Sequence, residues 1–179
     1  MKINILCGTN RPGSNTRLVS KNILCFLKDT GVDAELIDLL SLPSEIFDPT
    51  SYAEKPASFA TFADAVLSCD GLYVVTPEYN GGMPGILKYF IDMLPFPESF
   101  EERPVAFVGL AAGQWGALRP VEQLQSIFGH RNAYIFPERV FLPQVSNLLS
   151  GEGVLDEVIA KRLRKQAGGF VDFVKKIKA

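Results

Sequence analysis

Histidine is almost missing from this chain of 179 residues, with His130 the only one. It follows Gly129 in a predicted helix-to-strand turn, so a histidine-based hydrolytic triad or zinc centre has nothing to be built from, and no metal site is expected. Cysteine is scarce too. Cys7, Cys25 and Cys69 are odd in number and show neither a Cys-x-x-Cys pair nor metal-ligand spacing. They read as small buried side chains in a reducing compartment, which makes the cytoplasm the expected location. Charge of one sign is also lacking: 18 basic residues against 20 acidic leave a net charge of −2, no electrostatic basis for binding nucleic acid or a membrane surface. No apolar run approaches the roughly 18 residues that a membrane span needs. The first apolar run, about five residues long, is too short for the core of a secretory leader. With 47% hydrophobic residues, the length fits one domain over 1–179 with a full core.

The most informative segment that is present runs from Thr76 to Ile86, Thr-Pro-Glu-Tyr-Asn-Gly-Gly-Met-Pro-Gly-Ile. It follows a buried-looking strand, Gly71 to Val75, and leads into an apolar helix predicted from Pro84 to Leu94. Paired glycines, an asparagine tolerant of unusual φ and a proline at a helix start make a shallow site walled by backbone amides. Such a site suits a flat, polar, aromatic ligand. A Cβ added at Gly81 or Gly82 is expected to expel it.

A second segment points the same way. Ile3 to Cys7 reads as a strand that runs into Gly8-Thr-Asn-Arg-Pro-Gly-Ser-Asn-Thr16, after which Leu18, Val19, Ile23, Phe26 and Leu27 recur at helical spacing. Ser14, Asn15 and Thr16 are good helix N-cap residues. Arg11 adds a permanent positive charge beside the positive end of the helix, so the loop reads as a cradle for a phosphate monoester. A Walker A loop is excluded because no lysine lies between Gly8 and Arg17. A dinucleotide fingerprint is excluded because only Gly8 and Gly13 are present where three glycines are required.

Strands and helices alternate along the rest of the chain. A strand is predicted over 33–39, followed by a loop of about twenty residues with Pro43, Pro49 and Pro56. A helix follows over 58–68, then the strand and helix above, a strand over 104–110, a helix over 117–128 and a strand over 133–141. A final apolar repeat from Leu155 to Ile177 reads as a helix weakened or broken at Gly168-Gly169. Near-continuous apolar strands mean a parallel sheet covered on both faces. Five strands fit an α/β three-layer sandwich of flavodoxin-like order 2-1-3-4-5, whose chain reversal brings both rich loops into one crevice.

With these segments in view, the chain resembles the NADPH-dependent FMN reductase family, which includes quinone, azo-dye and chromate reductases. Three blocks carry the resemblance: Gly8 to Thr16, Thr76 to Lys88, and Ala111-Ala-Gly-Gln-Trp-Gly-Ala-Leu-Arg119. Thr9 and Thr16 stand where the family usually has Ser and Asn, and Ala112 and Ala117 where it commonly has Ser and Gly. The resemblance implies FMN as cofactor, with the phosphate held by Thr9, Arg11, Ser14, Asn15 and Thr16. The ring would lie along Pro77, Glu78, Tyr79, Asn80, Gly81 and Gly82, with Gly113, Gln114, Trp115 and Gly116 as a third wall. Glu78 reads equally as a ring contact and as a solvent-facing or intersubunit residue; Trp115 reads equally as wall and as core or interface.

The implied activity is transfer of hydride from NADPH or NADH through FMN to a small-molecule acceptor by ping-pong turnover, with no catalytic side chain because the flavin carries the chemistry. Backbone N–H groups of Glu78 to Gly82 are expected to offset the charge of reduced flavin. Arg17 and Arg119 are the candidate cations for a nucleotide 2′-phosphate. The alternative is a non-catalytic FMN electron carrier of the flavodoxin type; Arg11 and the small net charge argue against it. Ile86, Tyr89 and Met93 fall on a second apolar face of the 84–94 helix. That face is expected to meet its counterpart in a homodimer or homotetramer, unless the last helix or the Pro43 to Pro56 segment covers it.

Overall fold

The computed structural model describes residues 1–179. Five strands, β1 (Ile3–Cys7), β2 (Leu36–Asp38), β3 (Gly71–Pro77), β4 (Pro104–Leu110) and β5 (Tyr134–Leu142), form one parallel sheet of order β2-β1-β3-β4-β5. Five helices cover it: α1 (Asn15–Asp29), α2 (Ala60–Leu67), α3 (Gly85–Met93), α4 (Leu118–His130) and α5 (Glu157–Lys178). This is the expected flavodoxin-like sandwich. None of its helices is long and apolar enough to cross a membrane.

Alternating side chains of the central strands divide the core in two. Ile3, Ile5, Tyr73, Val75, Ala106 and Val108 face α1 and α5, where Val19, Ile23, Leu163, Phe170 and Val174 complete a cluster of 24 buried residues. Leu6, Leu72, Val74, Val105 and Phe107 face the other helices and, with Leu87, Phe90, Leu124 and Phe128, form a cluster of 20. At about 25 cal/mol per Å² of buried apolar surface, these two layers are the main source of stability. One buried polar side chain bridges two elements. Asn4 in β1 donates to Ala65 O at 2.7 Å and accepts from Glu35 N at 3.1 Å.

Three expectations give way here. The strand over 33–39 shrinks to Leu36–Asp38, because the Asn4 side chain takes Glu35 N from the ladder. Asp38 then accepts from Leu40 N at 3.1 Å and turns the chain into a 3₁₀ turn. The long proline-rich loop is ordered as successive 3₁₀ turns, Ser44–Phe47, Pro49–Tyr52 and Ala57–Phe59, with Ser51 buried and donating to Glu45 O at 2.9 Å. Helix α5 runs unbroken through Gly168-Gly169. A Cβ at Gly169 would lie 3.2 Å from Phe136, so the glycine lets the helix seat closely on β5, and packing there outweighs its poor helix propensity.

Candidate functional site

The loops after β1, β3 and β4 meet where the strand order reverses. They enclose a crevice of about 410 Å³, walled by Arg11 to Thr16, by Pro77 to Tyr79, by Leu110 to Ala112 and, after β5, by Val145 and Ser146.

On the first wall Gly13 has φ +65, a conformation that favours glycine, and turns the chain into α1. Ser14 is the N-cap, its Oγ accepting from Arg17 N at 3.3 Å. The N–H groups of Gly13, Ser14, Asn15 and Thr16 make no hydrogen bond within the chain, and no acidic residue sits in the first turn of α1. The Arg11 side chain is exposed and has no ion pair or hydrogen bond. Four free donors, a helix end and a guanidinium on one loop are suited to a doubly charged oxyanion. Asn15 Nδ2 reaches Ser146 Oγ at 3.4 Å and joins this wall to the loop after β5.

Thr9 is buried behind the wall instead of forming it. Its Oγ1 shares a hydrogen bond with Tyr79 Oη at 2.8 Å and accepts from Arg11 N at 3.2 Å. One hydroxyl therefore fixes both loops.

On the second wall, Tyr79 and Gly82 exchange two backbone hydrogen bonds of 3.0 Å around a tight turn whose central residues, Asn80 (φ 52) and Gly81 (φ 78), are both left-handed. Asn-Gly is the pair this geometry favours. The demand for positive φ thus falls on Gly81 and not on Gly82, where the nearest atom to an added Cβ would be Gln123 Oε1, at 3.4 Å. Asn80, Gly81 and Gly82 project past Tyr79 and do not line the crevice. The expected row of backbone donors is also reduced. Glu78 N donates to Leu110 O at 3.3 Å, while the N–H groups of Tyr79 and Gly82 serve the turn.

Glu78 faces inward, its side chain 15% exposed. Oε1 accepts from Arg119 Nη1 at 3.3 Å, and Oε2 is buried without a partner. Arg17 Nε is 2.5 Å from Asp38 Oδ2. Both cations considered for a nucleotide 2′-phosphate are therefore engaged within the chain.

The third block divides. Ala111 and Ala112 line the crevice, whereas Gly113, Gln114, Trp115 and Gly116 lie beyond it in the turn into α4. Trp115 is 55% exposed and so is not core. Gly116 has φ +56, and a Cβ there would lie 2.9 Å from Pro143 N, so this glycine serves the approach to the end of β5. Val145 and Ser146 were not expected at the site; the strand order, which sets β5 beside β4, was the signal that could have found them.

The α3 surface expected to be an interface is covered only in part within the chain, Ile86 and Tyr89 staying half-buried. Tyr89 Oη donates to Ile46 O at 2.5 Å and packs on the rings of Phe47 and Tyr52, and Met93 is 1% exposed. The segment between Pro43 and Pro56 packs on Tyr89, and Met93, buried in the core, offers no surface of its own to a partner. Of the cysteines expected to be buried, Cys7 and Cys69 are and Cys25 is exposed; burial pushes the Cys7 thiol up to about 11 and raises Cys69 as well.

The family model of NADPH-dependent FMN reductases matches residues 1–147. An NAD(P)H-dependent FMN reductase of Pseudomonas aeruginosa is 28% identical over 93% of this chain and 90% of its own length. A quinone reductase of Escherichia coli is 26% identical over 99% and 97%. Among solved structures, a flavoenzyme NAD(P)H:(acceptor) oxidoreductase from Paracoccus denitrificans superposes with a TM-score of 0.79 at 25% identity, covering 98% of this chain and 97% of that one. Flavodoxin 1 from Bacillus cereus, at 14% identity, covers 96% and 98% with a TM-score of 0.62, and shares the fold.

Proposed function

The chain belongs to the NADPH-dependent FMN reductase family, and we propose that it binds FMN in the crevice between the β1 and β3 loops and reduces a small acceptor at the expense of NAD(P)H. One observation carries the site: the free N–H groups of Gly13 to Thr16 with the unpaired Arg11 beside them. A phosphate monoester satisfies those donors with charge-assisted hydrogen bonds. The crevice fits the remainder of FMN as well. Glu78 Oε2, buried and unpartnered, is an acceptor that a ribityl hydroxyl or an imide N–H would satisfy. Ala111 and Ala112 leave room along the third wall.

FMN, when bound, supplies the hydride acceptor and the store of two electrons. The chain holds and orients. Arg11 and the start of α1 fix the phosphate end, the Thr9–Tyr79 hydrogen bond sets the distance between the two loops, and Arg119 keeps the Glu78 carboxylate turned inward. No histidine takes part, His130 lying exposed at the end of α4. Nucleotide and acceptor binding in turn gives ping-pong kinetics, and the cytoplasm, where nicotinamide nucleotides are found, is the location that suits this activity.

The test is anaerobic mixing of the FMN-loaded protein with NADPH. Rapid bleaching of the yellow flavin, followed by recolouring on addition of a quinone, is expected. Tight FMN binding without bleaching by either nicotinamide nucleotide would instead make the protein an electron carrier.

A further inference from the structure

The net charge of −2 is the sum of two opposed regions. Helices α1 and α5 lie side by side on one face of the sheet, and together they carry ten of the 18 basic residues but only three of the 20 acidic ones. This pair of helices is positive by seven charges, and the rest of the chain is negative by nine. A near-neutral total offers no electrostatic basis for meeting a charged surface, but the fold sorts the charge and supplies one.

Pairing sharpens the contrast. Outside the two helices every lysine and arginine except Arg11 has a carboxylate, amide or carbonyl partner within the chain. Within them Arg17, Arg164, Lys175 and Lys178 are paired with carboxylates. Lys21, Lys28, Lys161, Arg162, Lys165 and Lys176 are exposed and have no ion pair or side-chain hydrogen bond. Lys161 and Lys165 stand four residues apart on one helix, where like charges repel, so their placement does nothing for the fold.

Spacing turns these cations to one side. Positions 21 and 28 are about two helical turns apart, and 161, 165 and 176 lie opposite the buried stripe of Ile159, Leu163, Phe170 and Val174. At about 1.5 Å per residue, Lys161 and Lys176 are roughly 22 Å apart along α5, with α1 about 10 Å to the side. Two helices side by side make a flat basic plate. Val158, 68% exposed, lies one turn before Lys161 and Arg162 on the same side of α5, and Val154, 60% exposed, lies in the turn that precedes the helix.

Flatness and the two valines select the polyanion. A single-stranded nucleic acid is held by a groove and by rings on which its bases stack. The exposed rings of Phe47, Tyr52, Phe96, Trp115 and Tyr134 all lie outside α1 and α5. A bilayer spreads anionic headgroups over a plane and receives small apolar side chains at the headgroup boundary. We propose that the face formed by α1 and α5 docks this protein on an anionic lipid surface. The contact is peripheral, since no helix is long and apolar enough to cross a membrane. The same headgroups repel the acidic remainder of the molecule, so it lies with this one face down. Docking needs no bound FMN.

The experiment is co-sedimentation of the protein, as purified, with vesicles of phosphatidylcholine alone or with about 30% phosphatidylserine, in about 0.1 M salt. Binding is expected only to the vesicles that contain phosphatidylserine, with a loss of at least about tenfold in 0.5 M salt. At about fivefold for each cation removed, the double variant Lys161→Glu/Lys165→Glu should bind at least about 25-fold more weakly. Lys55→Glu, in the segment that packs on α3, should change binding by less than about twofold. Urea unfolding of the double variant should hold or improve as the repulsion is relieved, and its FMN affinity should not move, since neither lysine lines the crevice. No sedimentation with the anionic vesicles, equal sedimentation with both kinds, or wild-type binding by the double variant would overturn the proposal. So would tighter binding to a short duplex or single-stranded DNA than to the vesicles. Salt-sensitive self-association in place of vesicle binding, abolished in the double variant, would overturn it too, and would make the acidic side of a second copy the occupant.

Discussion

Polar crevices open at both ends of the sheet. At the amino end, one of about 490 Å³ lies between Leu67 to Asp70, Glu101 to Arg103 and the last residues of α5. The one at the carboxyl end, about 410 Å³, is smaller. Their contents differ more than their volumes. In the first, the Arg103 guanidinium donates to the carbonyl oxygens of Cys69, Ser99, Leu67 and Glu98. Asp70 there accepts from Lys2 N at 2.8 Å and pairs with Lys178 at 3.4 Å. In the second, Arg11, four backbone N–H groups and one oxygen of Glu78 have no partner in the chain. Polar groups sealed in a fold are normally satisfied, so capacity left over at a crevice marks where a ligand belongs better than volume does. The amino end is a structural knot, and the carboxyl end is a receptor.

Substitutions at the two arginines should therefore behave in opposite ways. Arg103→Ala strands several carbonyl groups and should lower folding stability by about 3 kcal/mol in urea titration, with FMN affinity changed less than about twofold. A stable Arg103→Ala protein would show that the amino end is no knot. Arg11→Ala should leave urea unfolding of the ligand-free protein untouched, because nothing in the chain depends on that side chain. Its FMN Kd should rise about 10- to 100-fold by fluorescence titration, while riboflavin, lacking the phosphate, binds as before. Equal losses for both ligands would remove Arg11 from the phosphate and erase the contrast between the two ends.

The same contrast explains what the sequence could disclose. Strand order and the two rich loops were legible because local signals specify them: apolar runs for the central strands, hydroxyl-rich and Asn-Gly turn chemistry for the loops. What each donor does once folded was not legible. Glu78 N, Tyr79 N and Gly82 N look available in the sequence, yet each is taken by a backbone partner brought close only by the fold. Tertiary packing likewise decided α5, where the approach to Phe136 carries a helix through Gly168-Gly169. It decided Tyr89 too, since no periodicity on α3 reveals that the segment bearing Phe47 and Tyr52 folds back against that ring. Trp115 stood equally as wall and as core or interface in the sequence, and its 55% exposure excludes the core alone.

The smallest effect should come from Asp70 and should depend on pH. Its carboxyl is held below the usual carboxylate range, first by the Lys2 backbone N–H and then by the Lys178 ammonium, against a modest desolvation that acts the other way. A folded pKa below the unfolded one means that the native state binds this proton less readily. The resulting stability is fully present above the unfolded value near 3.8 and is lost as pH falls through the folded one. Because the pair with Lys178 is largely exposed, its share is screened, and Asp70→Asn should lower the melting temperature at pH 7 by only about a degree or two. That gap should close on acidification below the carboxylate range, and added salt should narrow it at neutral pH. A gap that persists in acid would assign the loss to altered packing around the Asn and not to charge. FMN affinity at pH 7 should not follow Asp70→Asn at all, since the carboxylate stands at the opposite end of the sheet from the crevice; a dependence there would mean that the two ends are coupled through β3, whose first residue follows Asp70 and whose last lines the site.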